Sequence, residues 1–228
     1  MNKQGPGKIG WTDWTWNMLR GPCPVACWYC HARRRYHQFG VYETPKFIID
    51  ELLEPSKKKP AKIFTCSTFE LFHPDVKPGI RDAVFNVIEN CPQHTFQILT
   101  KMPENIDRPM PDNVWLGVSV GDDRRKSGQR AKDFISYIKK NNGFYFMSLE
   151  PLIHSEISIA SFESIFPYFG WIIVGRLTGH GKKQDPPKIH IEWIVENCEQ
   201  LQIPVFLKDN LKDIWGESLI QEFPKEGI

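Results

Sequence analysis

The sequence predicts an α/β fold organised as a (β/α) barrel, complete or partial, and three observations predict it. Short apolar runs recur along the chain without strict alternation, as expected of parallel strands covered on both faces. Segments with helical spacing separate those runs. The connections are of ordinary length, with no internal repeat or low-complexity tract. Regular alternation of this kind means βαβ units around a parallel sheet, and six or seven units favour one barrel over two domains.

Taken in order, a first strand falls within Ile9–Leu19, and later strands fall at Ile63–Ser67, Thr95–Thr100, Val114–Val120, Phe144–Leu149, Trp171–Gly175 and Pro204–Leu207. A helix over Thr44–Leu53 opens on Thr44 and Pro45, a plausible N-cap and first-turn pair. Lys77–Asn90 carries Ile80, Val84, Val87 and Ile88 on one stripe, and Arg124–Lys140 and Ile191–Leu201 are patterned similarly. This describes one domain over residues 1–228, with a cysteine loop at 21–31, a last strand near 204–208 and a C-terminal tail at 212–228. In a barrel of this class the chemistry belongs at the C-terminal ends of the strands.

The 228 residues hold 29 Lys and Arg against 27 Asp and Glu. A net charge of +2 gives no general affinity for nucleic acid. No apolar stretch of about 18 residues exists, so no membrane span is expected. The N-terminal segment lacks the apolar core of a secretory signal. The expectation is a cytoplasmic protein with reduced thiols.

Of six cysteines, Cys23, Cys27 and Cys30 fall within eight residues, whereas Cys66, Cys91 and Cys198 are scattered and read as buried thiols. The cluster admits three readings. It can be a chance grouping of thiols. It can be a structural zinc site, which needs a fourth ligand such as His31 or a distant cysteine. Or it can hold an iron–sulfur cluster with one iron open to an outside ligand. Its position, where a strand ends and a helix begins, favours the last.

Cys23-x3-Cys27-x2-Cys30, with aromatic Tyr29 before the last cysteine, resembles the signature of the radical S-adenosylmethionine superfamily. Ser67-Thr68-Phe69-Glu70-Leu71-Phe72-His73-Pro74 follows the second strand run, Leu99-Thr100-Lys101 ends the third and Gly117-Val118-Ser119-Val120 ends the fourth. That order is similar to the spore photoproduct lyase-like branch. Trp11-Thr12-Asp13-Trp14-Thr15-Trp16-Asn17, Glu70-Leu71-Phe72-His73-Pro74, Gln97-Ile98-Leu99-Thr100-Lys101-Met102-Pro103 and Ser148-Leu149-Glu150-Pro151-Leu152 resemble more closely an uncharacterised, phage-associated family described by its three-cysteine motif.

The resemblance implies a partial (β/α)6 TIM-like barrel of the radical SAM type and a lyase-like enzyme that forms a 5′-deoxyadenosyl radical. Its cofactors would be a [4Fe–4S] cluster, on Cys23, Cys27 and Cys30, and S-adenosyl-L-methionine. Tyr29 would lie by the adenine, Ser67, Thr68 and Glu70 by the methionine amino group, Lys101 on the methionine carboxylate, and Ser119 on the ribose. A zwitterionic amino acid needs a cation and an acceptor, so this set is chemically coherent. The superfamily's Gly-Gly-Glu-Pro segment does not occur here.

Glu150, Arg176 and His180 are the candidate substrate-facing, catalytic residues. Glu150 ends a strand run, where it can meet cofactor or substrate or cap a helix. Arg176 and His180 can meet a polar substrate or belong to a solvated loop. Lys208-Asp209 at the last strand end is similar. Asp122 and Asp123 can bind ribose or cap the helix after them, and His73 can line the site or be structural. Three indoles, Trp11, Trp14 and Trp16, read as core and rim.

Two basic patches, Arg33-Arg34-Arg35 and Arg124, Arg125, Lys126 with Arg130, leave a nucleotide or nucleic-acid substrate open. The first is interleaved with Trp28, Tyr36 and Phe39; the other reading is a solvated helix face balanced by acids elsewhere, and the overall charge favours it. The other expected partners are a one-electron reductant and, given the small barrel, a protein completing the site. The competing function is a non-catalytic, zinc-stabilised nucleic-acid-binding module using Cys23, Cys27, Cys30 and His31.

Overall fold

The computed structural model describes residues 1–5, 7–40, 44–153, 163–216 and 218–225, with the side chains of Arg124 and Arg125 excepted. The basic patch at Arg124 and Arg125 and the last three tail residues therefore lie outside what is described. The protein is α/β. The chain divides into two compact units, Met1–Trp115 and Leu116–Ile228.

In the first unit the strands are β1 (Asn2–Lys3), β2 (Trp14–Trp16), β3 (Leu19–Arg20), β4 (Lys46–Phe47), β5 (Lys62–Thr65) and β6 (Thr95–Thr100), with helices α1 (His31–Phe39) and α2 (Pro78–Glu89). β2, β5 and β6 run parallel, with Trp14 opposite Ile63 and Ile63 opposite Phe96. β1 covers the β2 edge in the antiparallel sense. Trp16, Ile63, Phe96 and Ile98 are buried, as are Val84, Phe85 and Ile88 of α2. Of the stripe read from the sequence, Val84 and Ile88 are in the core, Ile80 and Val87 are half-buried, and Phe85 joins the core from beside it. Trp11 and Trp16 are core as well, whereas half-buried Trp14 lies under the Lys58 ammonium, 4.9 Å from its ring.

The helix expected over Thr44–Leu53 is not formed. Lys46–Phe47 is instead the strand β4, antiparallel to β3, and only Ile49–Leu53 coils, as a 3-10 turn. A residue before proline is biased to extended backbone, and the following amides are engaged in pairing, with the Ile48 N–H donating to the Met18 carbonyl at 2.8 Å. Gly21 permits this pairing, because a Cβ there would stand 2.9 Å from the Thr44 carbonyl oxygen.

β5 also ends earlier than its apolar run suggests. Cys66 turns away with φ of 55°, so strand alternation does not set its direction. It is nevertheless buried, its thiol 3.2 Å from the Met18 sulfur. Cys91 and Cys198 are buried too, as expected.

The strand β7 (Val114–Val120) runs across the division at Trp115. The second unit continues with α3 (Arg124–Ile138), β8 (Phe144–Leu152), β9 (Trp171–Arg176), α4 (Lys188–Gln200), β10 (Val205–Leu207) and the short α5 (Lys212–Trp215). β8, β9 and β10 are parallel, with Ser148 opposite Ile173 and Ile173 opposite Phe206. Gln221 of the tail bridges Phe206 in the antiparallel sense. Asp123 caps α3, its carboxylate accepting from the Lys126 N–H at 2.9 Å, and Asp122 pairs with Arg130.

Gly117 in β7 is a steric requirement, because a Cβ there would stand 2.4 Å from the Phe146 ring. Phe146 is fully buried and has nowhere to move. Gly117→Ala is expected to lower the unfolding free energy by about 1–3 kcal/mol in urea titration. Gly128→Ala, in open space on α3, is expected not to lower it. Among the described residues no helix is long and apolar enough to cross a membrane.

Candidate functional site

The cysteine loop is shaped by its own backbone. The Ala26 N–H donates to the Cys23 carbonyl and the Cys30 N–H to the Cys27 carbonyl, at 3.2 and 3.1 Å. Ala26 sits at φ of 53°, in the left-handed region that side chains rarely adopt. Two successive turns thus fold the chain back between the thiols. Cys30 is the N-cap of α1, its sulfur accepting from the Arg33 N–H at 3.3 Å, and the Arg33 guanidinium donates to the Cys23 carbonyl.

All three cysteines are half-exposed or nearly so, and none is in a disulfide. Among the described residues no three Cys, His, Asp or Glu side chains stand in an arrangement that could hold a metal ion. By residue type and chain spacing the three thiols are a fitting donor set for an iron–sulfur cluster. His31 is exposed, with its Nδ1 3.5 Å from the Arg34 guanidinium. Desolvation and the cations of Arg34 and Arg35 hold its pKa below the ordinary histidine value.

Three segments distant in sequence meet beside this loop. Cys23 lies against the Glu70 backbone and near Cys27, and burial, with some help from those two groups' charges, pushes its thiol up to about 11. A thiolate there needs a positive charge beside it. Glu70 is only 6% exposed. Its Oε1 accepts from the Thr100 hydroxyl at 2.7 Å and the Phe72 N–H at 3.2 Å, and its Oε2 accepts from the Lys101 N–H at 2.7 Å. Burial nonetheless raises its pKa above the usual carboxylate range. Lys101 directs its ammonium over the Tyr29 ring, 5.5 Å from the centroid. Tyr29, Glu70 and Lys101, which the sequence places on three separate motifs, are therefore adjacent to the cysteine loop.

The neighbouring hydroxyls divide in role. Ser67 donates to the Asn17 side chain at 3.0 Å. The Thr68 Oγ1 is buried without a hydrogen-bond partner. Such a group is costly unless something supplies a partner, and it marks Thr68 as the better candidate of the pair for a ligand contact. His73 accepts from the Asp75 N–H at 3.1 Å and belongs to its own turn.

In the second unit Glu150, Gly175 and Lys208 stand at the ends of β8, β9 and β10. The Lys208 ammonium is ion-paired to Glu150. The two side chains meet over Gly175, where a Cβ would come within 3.0 Å of both. Two residues back on the same face, the Ser148 hydroxyl is 1% exposed and has no partner. The Ser119 hydroxyl donates to the Glu150 carbonyl at 3.2 Å.

Arg176 is engaged differently from a substrate-facing arginine. It pairs with Asp185 at 2.8 Å and with Asp213 at 3.3 Å, while its backbone exchanges hydrogen bonds with the Asn210 amide. It ties the loop after β9 to α5. His180 is exposed on that loop. Sequence reasoning passed over Thr100, Ser148 and the pairing of Lys208. Their signal was position, next to Lys101 or at a strand end, without any distinctive chemistry of their own.

No curated protein and no solved structure matches the chain. The model of one family, described as "Protein of unknown function (DUF5131)", matches residues 6–225. Because that match spans almost the whole sequence, the chain belongs to this family.

Proposed function

We propose that the protein is a radical S-adenosylmethionine enzyme with a partial (β/α)6 barrel, in which Cys23, Cys27 and Cys30 hold a [4Fe–4S] cluster. The observation that carries this reading is the convergence of Lys101, Tyr29 and Glu70 on the cysteine loop. An amino-acid cofactor at such a cluster needs a cation for its carboxylate, an aromatic surface for its base and a rigid backbone behind both. A [4Fe–4S] cluster held by Cys23, Cys27 and Cys30 would supply one-electron reduction of a bound S-adenosylmethionine and, through it, radical hydrogen abstraction from a substrate.

The chain's own residues bind and orient. Lys101 offers its ammonium to the methionine carboxylate and in doing so gives up the Tyr29 face to the adenine. Glu70 holds the Lys101 backbone rather than the methionine amino group, since Thr100, Phe72 and Lys101 already use its oxygens. The unpartnered Thr68 hydroxyl is the polar atom left for that amino group. In the second unit Ser119 carries the resemblance to a ribose contact and Glu150, with Lys208, is the substrate-facing pair. His180 is exposed on the loop after β9, and Arg176 acts by holding that loop.

Anaerobic reconstitution with iron and sulfide, followed by dithionite and S-adenosylmethionine, tests the reading. Iron–sulfur absorption and release of 5′-deoxyadenosine are expected. A protein that takes up one tetrahedral zinc instead, with neither signal, refutes it in favour of a zinc-stabilised module. Lys101→Met in the reconstituted protein is expected to weaken S-adenosylmethionine binding roughly ten- to a hundredfold in equilibrium dialysis, the worth of one charge-assisted hydrogen bond, with iron content unchanged.

A further inference from the structure

The helix α1 is unusual for this chain in burying none of its residues. His31, Arg34, Arg35, Gln38 and Phe39 follow helical spacing down one stripe, and every one of them is exposed. Arg33 and Tyr36, on the other side, are half-buried, and Arg33 is turned inward to the Cys23 carbonyl. The helix contains three arginines and no acid, whereas the chain as a whole is nearly neutral. Cations are thus concentrated here and not spread by composition.

Two large aromatic rings flank the stripe in the open. Trp28 is 59% exposed just before the helix and Phe39 is 61% exposed at its end. Among the described residues the next most exposed phenylalanine or tryptophan, Phe223, is at 40%. Phe39 on the basic helix and Trp28 just before it, which meets the Tyr29 ring edge-on at 5.4 Å and still exposes most of its surface, point to a partner that stacks. The Arg35 guanidinium already lies 5.9 Å from the Phe39 ring, an arginine–aromatic pair of the kind that receives a base and its phosphate together.

We infer that this stripe, with Trp28, binds single-stranded nucleic acid. Arg34 and Arg35 hold phosphates, and Trp28 and Phe39 stack bases at either end of a helix about 13 Å long. Charge complementarity selects a polyanion, and the exposed rings select one whose units have flat faces. An anionic membrane would call for an apolar stripe, which α1 lacks. The inference stands whether or not the cysteines hold a cluster, and with the cluster present it delivers the strand beside the cysteine loop.

The test is fluorescence anisotropy of a labelled oligothymidylate about 16 nucleotides long, titrated with the full chain, as isolated and after reconstitution, across a range of salt. Arg34→Ala/Arg35→Ala is expected to weaken binding and to reduce the slope of log affinity against log salt by about 1.4, at roughly 0.7 for each phosphate no longer neutralised. Trp28→Ala is expected to weaken binding about tenfold with the slope kept. Lys132→Ala/Lys140→Ala, which removes the same charge from exposed positions on and just after α3, is expected to bind as the parent does. Because Arg34 and Arg35 are exposed on a helix that buries none of its residues, the arginine variant should keep the parent's Tm, which is measured alongside for every variant.

Binding by the arginine variant equal to the parent's overturns the proposal. So does an equal loss in the lysine control, which would make the effect one of net charge. Flotation of the protein with phosphatidylserine vesicles, without oligonucleotide binding, overturns it in favour of a membrane.

Discussion

Cys27→Ala is expected to abolish the iron–sulfur absorption of the reconstituted protein and most of its bound iron, while Cys91→Ala retains both. The contrast follows from where the thiols stand. Cys27 is on the turn-shaped loop with Cys23 and Cys30, all three accessible. Cys91 is buried after α2, where burial raises its thiol above the ordinary value and no thiolate is favoured. Losing one of three thiolate ligands leaves two, too few to hold a cubane against chelators. Iron quantitation on gel-filtered protein reads the result directly. Equal retention by both variants would remove the cysteine loop as the metal site, and His31→Ala losing metal alongside Cys27→Ala would turn the site toward zinc.

Glu70→Ala is expected to destabilise the fold by roughly 3–5 kcal/mol in urea unfolding, since three donors lose their acceptor together. The Thr100 hydroxyl and the Phe72 N–H are in the core, and the Lys101 N–H is at the edge of the site. Glu70→Gln keeps one acceptor oxygen and should fall between the parent and the alanine variant. The outcome separates two roles for this carboxylate. A residue that only contacts cofactor can be truncated with little loss of stability and a large loss of binding. A residue that holds the Lys101 strand end loses stability first. An unfolding midpoint unchanged in Glu70→Ala would return Glu70 to the cofactor.

Much of the architecture was legible because it is local. Apolar runs without alternation marked the parallel strands, and the stripe of Val84 and Ile88 marked the buried face of α2. The same local logic failed over Thr44–Leu53. There, propensity suggested a helix, but the backbone amides were engaged by the strand at Leu19–Arg20, a partner that spacing along the chain does not reveal. It failed again at the end of β5, where a positive φ at Cys66 ended the strand at Thr65, short of the apolar run that continues to Ser67.

By itself the sequence determined the fold class, the three-thiol loop and the candidate residues at successive strand ends, because spacing and residue type are properties of the chain. Only the tertiary structure decided how each of those residues is engaged. It set Lys101 over Tyr29, occupied the Glu70 oxygens with Thr100, Phe72 and Lys101, clasped Arg176 between Asp185 and Asp213, and left α1 with every residue of its basic stripe outward. The physical reason is that a polar side chain's role depends on which donors, acceptors and charges surround it after folding. Those neighbours come from segments tens of residues away, and no pattern in the local sequence names them.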